Sequence, residues 1–184
     1  MEPQTRINLT AIYSEDRELQ NSAFHDLILE TDQPVPWTYE VWDELVSALE
    51  HRDNHVRAIA AQVLCNLAKS DPQKRMLRDF PGLLALTHDE RYVTARHCMQ
   101  ALWKIGVAGE DQLKPYLDGL TVRFAECVAE KNGTLTRCDI CQSLKNTYDV
   151  VHAEVIKVTA LQLIETESDL KYRKKYAGLW KSKG

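Results

Sequence analysis

The sequence predicts an all-α fold built from stacked antiparallel helix pairs. Three observations carry this expectation. Apolar residues recur at helical spacing through nearly the whole chain, and no alternating, strand-like stretch competes with them. Glycine supplies only 7 of 184 residues, too few for the positive-φ turns of an all-β protein. A helix pattern repeats, with Leu64, Leu102 and Leu144 at equivalent positions 38 and 42 residues apart. The length fits one domain with a substantial core.

The elements follow in order. Residues 1–14 lack periodicity and are expected to be loosely ordered. Ser14 is placed to cap a helix with an acidic first turn and an apolar stripe of Leu19, Ala23, Phe24, Leu27 and Ile28. Asp32-Gln33-Pro34-Val35-Pro36 breaks it. Thr38 to His51 follows, with Val41, Trp42, Leu45, Val46 and Leu49 on one face. Asp53 caps a helix through Leu67, and Asp71-Pro72 stops and restarts the chain, with proline in a first turn. A short helix bent or broken at Pro81-Gly82 comes next, then Tyr92 to Val107, ended by Gly106 and Gly109. Glu110 to Lys131 reads as a helix with a kink at Pro115 and an interruption at Gly119. Thr136 to Tyr148, His152 to Glu165 and a basic helix from about Asp169 complete the chain.

The repeat has a defined register. With Arg57, Ala95 and Arg137 as position zero, position +5 is Gln62, Gln100 and Gln142, and position +7 is the leucine row. At 100° per residue, positions −1, +3, +6, +7 and +10 share one arc. They are Val56, Ala60, Val63, Leu64 and Leu67 in the first copy, and Thr94, Cys98, Ala101, Leu102 and Ile105 in the second. Thr136, Ser143 and Thr147 dilute the third. A stripe of small and medium side chains suits close stacking of neighbouring repeats.

On these residues a family emerges. Asp53 to Leu67, with Asp, then Val-Arg, then small residues, then Leu and a final aliphatic, resembles the second helix of a HEAT repeat. Tyr92 to Gly106 resembles it too, with Arg96 shifted one place, and Thr136 to Leu144 is a fainter copy. The resemblance covers roughly residues 36–148. It implies a single α-solenoid domain over 1–184, a right-handed α–α superhelix of about four antiparallel pairs, with 168–184 as a basic cap helix. It also implies that Asp53 and Arg57 tie neighbouring repeats together, and that the second helices line a concave binding surface.

The arc opposite the core stripe holds positions +1, +5 and +8, with +9 at its edge. No carboxylate occurs there. Its candidate partner-binding residues are Gln62, Asn66, Arg96, Gln100, Trp103, Lys104, Gln142, Lys145 and Asn146. Side-chain amides both donate and accept, which suits an extended peptide backbone, and cations suit acidic side chains or phosphates. Trp103 offers one large desolvated contact. Against this, glutamine is simply a good helix former on a wet face.

The expected role is therefore a small HEAT-repeat adaptor that binds a protein or extended peptide, acidic in charge. The alternative is a DNA-binding or DNA-repair protein, because HEAT-like alkylpurine DNA glycosylases use tryptophans and an Asp/Arg pair in a basic groove, which Trp103, Arg96 and Lys104 echo without an assignable Asp. The formal charge of −4 counts against nucleic acid, although Lys171, Arg173, Lys174, Lys175, Lys181 and Lys183 form a basic tail without acids. Catalytic motifs such as GxxxxGK, GxSxG and HExxH are absent, so no enzyme, cofactor or metal is expected. Adjacent His97 and Cys98 point about 100° apart on a helix and cannot pair as base and nucleophile. Five cysteines, an odd number, suit reduced thiols in the cytoplasm, and the Cys138-Cys141 pair lacks a second pair for zinc. No apolar run is long enough to span a membrane.

Overall fold

The computed structural model describes residues 1–181. Among them the secondary structure is entirely helical, and the chain divides into two compact units at Ala101/Leu102. The first unit contains α1 (Pro3–Ala11), α2 (Arg17–Glu30), α3 (Thr38–Ala48), α4 (Asn54–Leu67), α5 (Arg75–Leu86) and α6 (Tyr92–Ala101). The second contains α7 (Trp103–Gly106), α8 (Glu110–Glu126), α9 (Gly133–Val151), α10 (Glu154–Glu165) and α11 (Leu170–Gly178). Short 3₁₀ turns follow α4 and α8.

In the first unit α1 packs on α2, α3 on α4 and α5 on α6, and α4 packs broadly on α6. The connections are a few residues long, so paired helices run antiparallel. The repeat stripe of α4 is buried as expected: Val56, Ala60, Val63, Leu64 and Leu67 are at most 1% exposed. Thr94, Cys98 and Ala101 of the second copy are buried too. In the second unit α7 packs on α8 and α9, and α9 on α10 and α11. There two of the three polar members of the third stripe are absorbed by one phenol, and Thr136 donates to the Asn132 carbonyl. The Tyr116 hydroxyl lies 2.8 Å from Ser143 Oγ and accepts from Thr147 Oγ1 at 2.9 Å.

A repeated ion pair ties these helices together. Arg17 at the start of α2 donates to Asp53 at 2.8 Å, and Asp53 caps α4 through the His55 N–H. Arg57 on α4 donates Nε and Nη2 to Asp89 at 2.6 and 2.9 Å, and Asp89 accepts from the Arg91 N–H that leads α6. Arg137 on α9 donates to Glu167 at 2.9 Å, and Glu167 accepts from the N–H of Asp169, the cap of α11. Burial raises the Asp53 and Asp89 carboxyls, but the arginines and capping N–H groups outweigh it and hold both below the usual range. The expected tie through Asp53 and Arg57 is thus present, with Ala95 interrupting the series at the second copy.

Several local expectations need correction. Residues 1–14 are not loose: Leu9 of α1 and Ile12 at its C-cap are buried at 1% and 0% exposure. It escaped the periodicity reading because Thr5 and Asn8 also face inward, bonded to Glu30 and Asp26. Asp16, not Ser14, caps α2. Leu19 is exposed while Gln20 is buried, donating to the Ile12 carbonyl at 2.7 Å. Pro72 precedes α5 rather than sitting in its first turn. Pro81 and Pro115 lie inside unbroken helices. The break falls instead at Leu102, which separates α6 from α7.

Candidate functional site

The nine candidate residues fall into a set in each unit. In the first unit, Gln100 and Arg96 on α6 are exposed and Gln62 on α4 is half-buried. Gln62 donates its amide to the Ala58 carbonyl of its own helix at 3.0 Å, leaving its Oε1 as an acceptor for a partner. Asn66 is a correction. It is fully buried, and its amide donates to the Ile28 carbonyl at 3.2 Å and Thr31 Oγ1 at 3.0 Å at the C-terminal end of α2. Its chemistry is spent on satisfying the end of that helix. Ala58 and Cys65, placed on the same exposed arc, are buried as well. Helices α2, α3 and α6 all pack on α4, so its open arc is narrower than the repeat register implies.

In the second unit, Trp103, Lys104, Lys145 and Asn146 are half-buried and Gln142 is exposed. Gln142 donates to Asn146 Oδ1 at 2.7 Å. Lys145 donates to both carboxylate oxygens of Asp149, at 2.6 Å for Oδ2. The arc is therefore not free of acid, because a carboxylate one turn further on reaches the lysine. In the basic tail, Tyr176 is buried with its hydroxyl on the Thr134 carbonyl, and Arg173 donates to the Glu167 carbonyl, so both are structural. Lys183 lies outside the described residues.

A groove lies outside the nine candidate positions. Between the N-terminal ends of α4 and α6 lies an open cleft of about 500 Å³, lined by Asn54, His55, Ala58, Arg91, Tyr92, Val93, Thr94 and His97. The signal was available: position −2, occupied by His55 and Val93, lies within about 20° of position +5 on a helix. The exposed arc simply extends one turn toward the helix starts. Gln62 on α4, and Arg96 and Gln100 on α6, continue from this cleft along the same two helices.

Among the described residues no cluster of three or more His, Cys, Asp or Glu side chains is arranged to hold a metal ion. Burial pushes the Cys127 thiol up to about 11 and raises Cys98 and Cys141 well above the ordinary range. Cys138 is the half-buried thiol of the five, so the CxxC pairs one buried with one accessible sulfur.

No family model matches the chain, and no curated protein matches it in sequence. Solved structures match it in fold. An engineered protein from the Northeast Structural Genomics Consortium aligns with a TM-score of 0.59 at 19% identity, over 97% of this chain and 79% of its own. A second engineered protein from that consortium gives 0.57 at 19% identity, over 96% and 77%. A designed armadillo repeat protein, solved in complex with the peptide (KR)4, gives 0.51 at 13% identity, over 97% and 88%. The fold is a HEAT/armadillo-like α-solenoid. In this solenoid no helix among the described residues is long and apolar enough to cross a membrane.

Proposed function

We propose that this α-solenoid is a non-catalytic binding protein that holds an extended peptide segment of a protein partner along α4 and α6. The observation that supports it most is the continuity of that face. The cleft of about 500 Å³ opens at the helix starts, and Gln62, Arg96 and Gln100 follow it toward the helix ends. An amide that both donates and accepts can replace a strand neighbour for a peptide backbone, while the cleft takes a side chain. The designed armadillo repeat protein with the (KR)4 peptide supports the reading, because its fold accepts a short charged peptide.

The test is retention of an octapeptide array by the intact chain and by a Gln62→Ala/Gln100→Ala variant. Removing two backbone-bonding amides is expected to lower retention about tenfold. Retention that the double variant leaves unchanged places the peptide elsewhere, and an array from which nothing is retained overturns the reading.

A further inference from the structure

We propose that the cleft between the starts of α4 and α6 is an anchor for carboxylate side chains, so that the bound segment is acidic, with Arg91, His55 and His97 as its recognition residues. The inference rests on the peptide-binding reading and adds the chemical class of the ligand.

The lining argues for it first. Of the eight residues around the cleft, one carries a guanidinium and two carry imidazoles, and none carries a carboxylate. The acids that stand nearest in sequence are already engaged. Asp53 holds Arg17 at 2.8 Å, and Asp89 takes Arg57 through two hydrogen bonds of 2.6 and 2.9 Å. Glu90 meets Arg91 only at 3.8 Å, with both side chains largely in solvent at 82% and 68% exposure. Such a long, wet contact gives way readily to a carboxylate that enters the cleft and meets the guanidinium fork with two parallel bonds.

The walls argue for it second. The cleft sits at the first turns of two helices, α4 from Asn54 and α6 from Tyr92, whose own N–H groups already meet Asp53 and Asp89, so the anion site is made by side chains. Val93, Ala58 and the Tyr92 ring supply apolar wall, so a carboxylate lodged beside Arg91 has part of its water stripped away and its charge contacts strengthened. His55 and His97, both exposed, add one ring donor from each helix. The designed armadillo protein carries a basic peptide; the residues of this cleft select the opposite charge.

The experiment uses the full chain on an octapeptide array of three compositions: rich in Asp and Glu, rich in Lys and Arg, and neutral. The acidic set is expected to be retained about tenfold over the basic set. Arg91→Glu is expected to reverse that preference. Arg91 is exposed and leads a helix, where an acid is favourable, so the fold survives the change and an unaltered circular dichroism melt confirms it. A His55→Ala/His97→Ala variant, which removes both ring donors, is expected to lower acidic retention about fivefold. Preference for the basic set, or an acidic preference that survives Arg91→Glu, overturns the anchor. Retention without regard to composition overturns the anchor and leaves the peptide reading standing. An array from which nothing is retained overturns that reading as well. Single-stranded DNA bound in an Arg91-dependent way where no peptide is bound assigns the cleft to nucleic acid and overturns both.

Discussion

Replacing Asp89 with asparagine tests the tie between α4 and α6 at its centre. Asp89 is 5% exposed and Arg57 12%, so the pair is nearly dry. The carboxylate accepts three hydrogen bonds, from Arg57 Nε at 2.6 Å, Arg57 Nη2 at 2.9 Å and the Arg91 N–H at 2.8 Å. Asparagine keeps one acceptor, enough for the cap, but turns an NH₂ toward the guanidinium. Removing one partner of a buried pair costs about 3–5 kcal/mol when the survivor has no other company. Here Arg57 retains the His51 and Arg52 carbonyls at 2.8 and 3.2 Å, which lowers the expectation to about 2–3 kcal/mol. For a chain of this size that is a drop of about 5–10 °C in the thermal midpoint. Asp118→Asn is the control, because Asp118 and Lys114 are 65% and 82% exposed and such surface pairs are worth about 0–1 kcal/mol. The assay is urea unfolding followed by circular dichroism. A cost below about 0.5 kcal/mol for Asp89→Asn, equal to that of the control, refutes the argument that burial makes this pair matter.

Asp79, held low chiefly by its bond from Arg78, joins Asp53 and Asp89 below the ordinary carboxylate range. A carboxyl whose folded pKa is depressed stabilises the fold above its unfolded value, and the urea midpoint is expected to fall as pH drops below about 4 through the folded values. Asp89→Asn shallows that slope, and a midpoint independent of pH between 5 and 2.5 contradicts the assignment. Gly133→Ala drives a Cβ into the Cys127 carbonyl oxygen, so the backbone must move and the second unit loses stability. Gly82→Ala meets only Leu49 Cδ1 at 3.6 Å inside α5 and is expected to gain about 0.5–1 kcal/mol, both read from thermal melts. Native alkylation with a thiol reagent is expected to modify Cys138 ahead of the four buried cysteines, identified by peptide mass mapping; rapid modification of Cys98 or Cys141 contradicts their raised pKa values.

What the sequence reveals depends on whether a residue's partner is local. The Asp53 cap and the α4 stripe depend on neighbours within one or two turns, and both are legible. The Pro81 kink is legible only as a risk. Proline costs a helix interior about 3 kcal/mol, and burying Met76, Phe80, Leu83 and Leu86 at about 1.5–3 kcal/mol each outweighs it. The burial of Gln20 and Asn66 is not legible from periodicity, because their hydrogen-bond partners, Ile12 and Ile28, lie 8 and 38 residues away. The amide row survives as exposed side chains at Gln100 and Gln142, but the neighbours that cover Ala58, Cys65 and Asn66 belong to other helices. The cleft at His55 and Arg91 joins two segments 36 residues apart, which periodicity within one helix does not bring together.

In each of the three ties an arginine from an earlier helix grips the carboxylate that opens a later one. That gives assembly a direction. The Asp89 carboxylate ahead of α6 is oriented by Arg57 of α4, so one helix holds the residues that start another two helices further along the chain. A chain that emerges amino end first therefore carries the arginine for each start signal two helices ahead of it.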